Sequence, residues 1–416
     1  MAIALKEDDA QAHVHGVCFK TGPPARVGIE LEWIVHDGAD ARREVAPERL
    51  DEALAPLKAK GLPFGSRLTR EPGGQVELSS PPATSLARCA EDLRADTAAL
   101  EQALAANGLV LAGHGLEPYQ DPPRVVDHPR YRAMEAYFDR DGSWGRMMMR
   151  GTASVQVNLD AGEEGDGRRG YRSRWELTHR LGPVLVAAFA NSPLWQGKPT
   201  GWRSTRQLVW ARMDPGRTRP PGAPPGSDPD PRAVWACYAL DAPLLCVRGA
   251  SADGWTAPEG LTFRSWLRGA PGVRPPTLED LDYHLTTLFP PVRPRGWLEL
   301  RMIDAQCGDD WVVPAAVAAT LLDDPAAAEA AWEATEPLCP NGSAVPTDSL
   351  WSRAARLGPA DPVLGKAVRA CFAAAENALA DADAPGALRA TVAEFTRRYA
   401  ERGRCPADDL LERTGR

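Results

Sequence analysis

Polar and apolar positions alternate strictly in four short stretches of the chain. In VGIELEW, 27–33, Glu30 and Glu32 alternate with Ile29, Leu31 and Trp33. In GGQVELSS, 73–80, Gln75 and Glu77 alternate with Val76 and Leu78. In TASVQVNLD, 152–160, Ser154, Gln156 and Asn158 alternate with Val155, Val157 and Leu159. In GWLELRMID, 296–304, Glu299 and Arg301 alternate with Leu298, Leu300 and Met302. Successive side chains of a strand point to opposite faces, so each stretch predicts a strand with one core face and one polar face. A strand face in water is the ordinary reason for such a pattern. Here the polar faces are short Glu, Gln and Asn with a single Arg, and they recur four times. That repetition favours a polar face lining a cavity.

Other elements follow from longer periods. Residues 84–107 have helical periodicity, with Thr84 or Ser85 as N-cap and Gly108 past the end. Residues 173–190 also read as a helix, and 109–113 and 243–248 as short strands. DAGEEGDGRRG, 160–170, is a polar turn, and the Pro-rich 215–232 reads as a loop or flap. From about residue 313 the pattern becomes Ala-rich helix, at 314–333, 361–382 and 386–402. No repeat at solenoid periods is present. The expected class is α+β: an antiparallel sheet surrounded by helices, with a helical C-terminal third. We expect one catalytic domain over 1–416, with a sheet-containing core at 25–325 and a helical region at 326–416.

Composition narrows the function. The chain has 416 residues, 44% hydrophobic and 25% charged, with a formal net charge of −8. No basic tract suggests a nucleic-acid surface. MAIALKEDDA lacks the basic and apolar regions of a signal peptide. No apolar run is long enough for a membrane span. A cytoplasmic protein without nucleic-acid or membrane partners is therefore expected. The eight cysteines show no CxxC spacing, which suggests scattered reduced thiols and no zinc site.

Clustered carboxylates repel one another and raise each other's pKa unless a cation lies between them. Oxygen ligands of this kind suit Mg²⁺, which commonly bridges a few carboxylates to substrate phosphates. Glu71 precedes Pro72-Gly73-Gly74, a turn that leaves its direction open. GxxxxGK[ST], GxGxxG, HExxH and GxSxG are all absent, so any nucleotide phosphate must be held by metals and Lys/Arg side chains. His284 reads as a structural histidine, and Met147–Met149 as packing under the strand at 152–159, with Met148 near enough to touch substrate.

Nine segments then carry a family resemblance. They are GIELE (28–32), TREPGGQVELSSPP (69–82), RYRAM (130–134) and MMMRGTASVQVNLD (147–160), then NSPLWQGKPTGWRSTRQLVW (191–210), YALDAPLL (238–245) and GLTFRSWL (260–267). LDYHLTTLFPPVRPRGWLELRMIDAQ (281–306) and LLDD (321–324) complete the set. In this order they resemble the plant-type glutamate–cysteine ligase family, and within it the actinobacterial branch of ergothioneine biosynthesis. The resemblance implies a curved antiparallel sheet in a glutamine synthetase-like fold. It implies that ATP phosphorylates the γ-carboxylate of L-glutamate and that the amine of L-cysteine displaces phosphate to give γ-glutamylcysteine. A carboxylate–amine ligase using another amine is the alternative. The partners it implies are these small molecules, acting on a monomer or weak homodimer.

Site roles come with the resemblance. Mg²⁺, roughly two or three ions, is expected on Glu30, Glu32, Glu71, Glu77, Glu299 and Asn158, with at least three of the glutamates contacting metal. Arg130 and Arg206 match arginines that hold the glutamate α-carboxylate. Ser154 and Gln156 are expected near substrate, and Tyr131, Trp210 and Met148 as pocket walls. Arg301 and Arg295 are expected at the ATP phosphates, and with Glu77 form the expected catalytic set. The redox-control cysteines of plant members have no counterpart that can be matched here.

Overall fold

The computed structural model describes residues 5–222, 229–249, 254–339 and 345–414. The strands are β1 (Val27–Asp37), β2 (Arg67–Arg70), β3 (Val76–Ser79), β4 (Leu109–Ala112), β5 (Ser154–Asp160), β6 (Leu194–Trp195), β7 (Lys198–Pro199), β8 (Val292–Pro294) and β9 (Trp297–Asp304). Seven of them form one open antiparallel sheet in the order β2-β3-β1-β5-β9-β8, with β4 on the far half of β1. β6 and β7 make a separate small ribbon.

All four alternating stretches are strands of this sheet, and the apolar side chains share one face. Ile29, Val76, Val157, Leu298 and Leu300 are completely buried there. Helices Leu86–Ala105, Tyr171–Phe189 and Val312–Asp323 cover that face. Val312–Asp323 is buried nearly all round, which its Ala-, Val- and Leu-rich sequence permits. Ser85 caps Leu86–Ala105, its hydroxyl accepting from the Arg88 amide at 3.2 Å. The C-terminal helices Pro362–Asp381 and Gly386–Arg398 join the same hydrophobic cluster, with Phe189, Phe372 and Phe395 in mutual ring contact. Among the described residues, no helix is long and apolar enough to cross a membrane.

Three expectations are corrected. Residues 243–248 form no strand, only isolated bridges from Pro243 to Thr262 and Cys246 to Thr256. The 314–333 helix is two helices, Val312–Asp323 and Pro325–Thr335; Asp324 ends one and caps the next, because proline is disfavoured in a helix interior but suited to its first turn. The 215–232 segment is partly helical. Pro215–Thr218 forms one turn, with Arg217 fully buried, and Pro231 starts a further helix, while 223–228 lie outside the described residues.

One irregularity matters for the site. Along β5 and β9, Val155 pairs with Ile303 but Val157 pairs with Leu300, so Arg301 and Met302 both lie opposite Gln156. This bulge shifts the alternation by one residue. Asp304 therefore sits opposite Ser154, on the polar face.

Candidate active site

The polar face lines a cavity of about 300 Å³. Register brings its acidic side chains together. Glu32 lies opposite Glu77, and Glu30 opposite Gln156. Both Glu32 oxygens are held, by the Ser154 hydroxyl at 2.9 Å and the Gln156 amide at 3.0 Å. Glu77 accepts from Thr69 at 2.9 Å and Ser79 at 3.0 Å. Glu71 enters from the turn after β2. A Cβ on Gly73 would lie 2.0 Å from the Arg150 carbonyl oxygen, and Gly74 has φ +94°, so both turn positions require glycine. Gln75 ties the turn down, accepting from the Gly73 amide at 3.0 Å and donating to the Thr152 carbonyl at 2.9 Å.

These carboxylates resist ionising. Burial, with Glu299 and Glu77 nearby, pushes Glu30 up to about 7. Burial, with Glu77 and Glu32, pushes Glu71 up to about 8. Burial also raises Glu32, against Arg206 and Arg301, and raises Glu77, which faces Glu32. The set calls for protons or cations. Among the described residues, however, no three His, Cys, Asp or Glu side chains stand together as a ready-made metal site.

The basic side is built around Glu299. Arg293 donates to both its oxygens, at 2.5 and 3.0 Å, and Arg301 and Arg295 approach to 3.2 and 3.6 Å. Burial alone would raise Glu299, but Arg293 and Arg301 hold it at about 2. Arg301 also donates to Gln156 at 2.6 Å, which links the basic side to Glu32. Arg206 is 3% exposed. Its Nη2 donates to the Arg301 carbonyl at 2.8 Å, while Nε and Nη1 are buried without a hydrogen-bond acceptor. Asp304 lies 3.7 Å from Nη1 and accepts from the Asn191 amide and the Ser192 and Ser204 hydroxyls. Arg130 donates to the Thr286 hydroxyl at 2.8 Å and carbonyl at 2.9 Å, at a more exposed part of the wall. Tyr131, pushed up to about 12 by burial and the Glu71 charge, stands beside it. Trp210 completes this wall; its indole N–H is buried without an acceptor and its ring lies 5.8 Å from Phe289.

Most predicted site residues thus meet at one cavity: Glu30, Glu32, Glu71, Glu77, Arg130, Tyr131, Met148, Ser154, Gln156, Arg206, Trp210, Arg295 and Arg301. Two expected metal ligands do not line it. Glu299 is completely buried beneath the arginines, with both oxygens taken. Asn158 lies further along β5, donating to Glu30 at 3.2 Å and accepting from the Trp297 indole at 2.8 Å. With Glu30, Pro82 and Trp297 it lines a neighbouring cleft of about 360 Å³. Met148 and Met149 belong to helix Trp144–Gly151 and pack with Met134, Val209 and Met213 as a cavity wall, not beneath β5. His284 is structural: its Nε2–H donates to the Ala239 carbonyl at 2.7 Å and its ring is stacked on Phe263. The sequence reading missed Arg67, Gln75 as a turn anchor, Arg293 and Asp304. Arg293 was findable, since a tight turn at Arg295-Gly296 places it opposite Glu299. Asp304 was not, because its face depends on the bulge.

The chain is similar to known proteins. The chain is 41% identical over 410 residues to the glutamate–cysteine ligase EgtA of Mycolicibacterium smegmatis, spanning 98% of this chain and 91% of that one. It is 34% identical over 259 residues to the chloroplastic glutamate–cysteine ligase of Medicago truncatula, spanning 60% of this chain and 49% of that one. Among solved structures, the glutamate–cysteine ligase of Francisella tularensis in complex with AMP superposes with a TM-score of 0.49 and 13% identity, covering 94% of this chain and 85% of that one. The pattern of glutamate–cysteine ligase family 2 matches residues 26–416, from just before the first glutamate strand to the last residue, and the chain belongs to that family.

Proposed function

We propose that the protein is an ATP-dependent glutamate–cysteine ligase that makes γ-glutamylcysteine. The observation that carries this is the facing of four glutamates and the Arg206–Arg301 pair across one cavity, with two Arg206 donors left without an acceptor. A γ-carboxylate oxygen of glutamate attacks the terminal phosphorus of ATP, and the bond to the ADP oxygen breaks. The cysteine amine then attacks the acyl carbon; the C–N bond forms, phosphate leaves and the nitrogen gives up a proton. Such chemistry needs positioning and charge neutralisation, with no protein nucleophile.

The Arg206 guanidinium, two of whose buried donors lack an acceptor, suits the substrate α-carboxylate, which a guanidinium binds through charge-assisted hydrogen bonds, and Arg130 is a second cation lining the same cavity. Arg301, fixed by Gln156 and Glu299, and Arg295 face the transferring phosphoryl group. The donor set fits Mg²⁺: Glu30, Glu32, Glu71 and Glu77 are hard oxygen ligands whose pKa values are raised by burial first and by neighbouring carboxylates second. Bound there, the cation supplies charge stabilisation on the phosphoryl oxygens. Glu30 lines both the main cavity and the Trp297 cleft, so we assign the cleft to the nucleotide end of ATP. Likeness to the actinobacterial branch supports ergothioneine biosynthesis as the destination of the product.

The test is ADP release with Mg²⁺, ATP and L-glutamate while cysteine is exchanged for other amines. Cysteine-dependent turnover is expected. Turnover only with another amine moves the assignment to that acceptor, and no turnover with any amine ends the ligase reading.

A further inference from the structure

The turn between β8 and β9 carries one residue into each of the two hollows assigned to ATP. Arg295, just before Gly296, lines the main cavity. Trp297, just after it, lines the neighbouring cleft and donates to Asn158 at 2.8 Å. The Arg295 guanidinium lies 5.5 Å from the Trp297 ring centroid, and the two side chains are 44% and 38% exposed. Side chains this open are not fixed by packing around them, so the backbone of the turn sets where they stand.

That backbone is held from outside the sheet. Within the turn, the Arg295 amide donates to the Trp297 carbonyl at 2.9 Å. The Gly296 amide instead donates at 2.7 Å to the carbonyl of Cys18, the last residue of helix Glu7–Cys18. Gly296 has φ +88°, and a Cβ there would lie 3.4 Å from the Val17 carbonyl oxygen and 3.3 Å from the Lys20 side chain, so turn and helix end are in contact. The helix is itself seated at both ends. It packs on helix Pro231–Asp241, with Ala10 and Val14 completely buried. Glu7 accepts from Arg264 and Arg268, the His13 ring donates to Asp282 at 2.6 Å, and buried Phe19 meets Tyr171 and Trp175 edge-on. Beyond the helix, the Ala25 and Arg26 amides both donate to the Asp160 carboxylate at 2.8 Å, and Asp160 pairs with Trp297 across β5 and β9. The N-terminal segment therefore grips the Trp297 end of the sheet twice, through Gly296 and through Asp160.

Resting on the ligase reading above, we propose that helix Glu7–Cys18 is a positioning element for ATP. Its last carbonyl holds the Gly296 turn, and the turn sets Arg295 toward the phosphoryl group and Trp297 toward the nucleotide end. The helix acts through the backbone of Gly296 and touches no substrate. Glutamate, held by Arg206 and Arg130, does not depend on it.

Two variants of the full chain test this. Gly296→Ala presses a methyl group against the helix end. Ala10→Asp places a charge at a completely buried position and unseats the helix. In steady-state kinetics each is expected to raise the KM for ATP about fivefold or more, with the KM for L-glutamate within about twofold of wild type. The double variant is expected to be no worse than the more severe single one, because both act through one contact. An unchanged KM for ATP in Gly296→Ala, an equal rise for glutamate, or additive effects in the double variant overturns the proposal. Coupling between two sites is reciprocal, so in wild type Mg²⁺-ATP alone should slow amide hydrogen exchange about fivefold or more in residues 7–18 as well as in 292–300. Protection confined to 292–300 overturns the proposal, and this measurement decides if Ala10→Asp does not fold. Wild-type enzyme without ADP release with any amine would instead overturn the ligase reading, so the two failures are distinct.

Discussion

Asp304 and Arg206 form a buried pair of opposite charges whose geometry is unequal. Asp304 is saturated by one amide and two hydroxyls, whereas Arg206 keeps two buried donors without a hydrogen-bond acceptor. The aspartate thus acts as a positioning residue, balancing the guanidinium charge while leaving two of its donors unpaired. Removing one partner of a buried charged pair costs about 2–5 kcal/mol, largely because the other is left uncompensated. Asp304→Asn is expected to raise the KM for glutamate about tenfold or more and to leave the KM for ATP near wild type; equal changes in both would mark a general loss of structure. His284 offers a separate test at the same scale. Burial, then the Arg217 charge, lowers its pKa to about 3. The unfolded imidazole protonates near 6.5, so the stability from this group is complete above that pH and is lost as pH falls toward 3. Between pH 7.5 and 5.5 wild type should lose about 1 kcal/mol more stability than His284→Asn in urea unfolding, since the variant has no imidazole to protonate.

At the scale of elements, alternation identified the strands and their faces, because the period of two is a local property of extended backbone. It failed where an element departed from regularity. The β9 bulge moved Asp304 to the polar face, and the Pro72–Gly74 turn aimed Glu71 at the cavity in a direction counting could not supply. Proline placement was legible but was not read at Pro325, where one expected helix became two. The 205–211 and 144–151 helices were also missed; both are short, and their side chains are ordered by packing against the cavity wall. The glycine turn yields an element-level prediction. Gly73→Ala must push the turn off Arg150, displacing Glu71 while the sheet stays intact. A fall in kcat of about tenfold or more is expected with little change in far-UV circular dichroism; unchanged kcat would remove the turn from the catalytic geometry.

For the whole molecule, the sheet and the C-terminal helices share one hydrophobic cluster. Phe395, 2% exposed, lies 5.3 Å from Phe189 of the helix behind the sheet and 5.9 Å from Phe372. Phe395→Ala should cost about 3–5 kcal/mol and lower the single unfolding midpoint by several degrees. Two separate transitions, with only the later-melting or earlier-melting part shifted, would instead show that the C-terminal helices fold independently.

The sequence by itself determined the four alternating strands that line the site, which face of each is polar and, through the ordered family segments, what chemistry that face serves. These follow from local periodicity and from short motifs, both readable one stretch at a time. Tertiary structure decided which polar residues act together. Strand pairing put Arg293 on Glu299 and removed that glutamate from the cavity lining, and the bulge recruited Asp304 behind Arg206. The physical reason is that burial, charge compensation and cavity shape arise from contacts between distant segments, and local periodicity carries no record of those contacts.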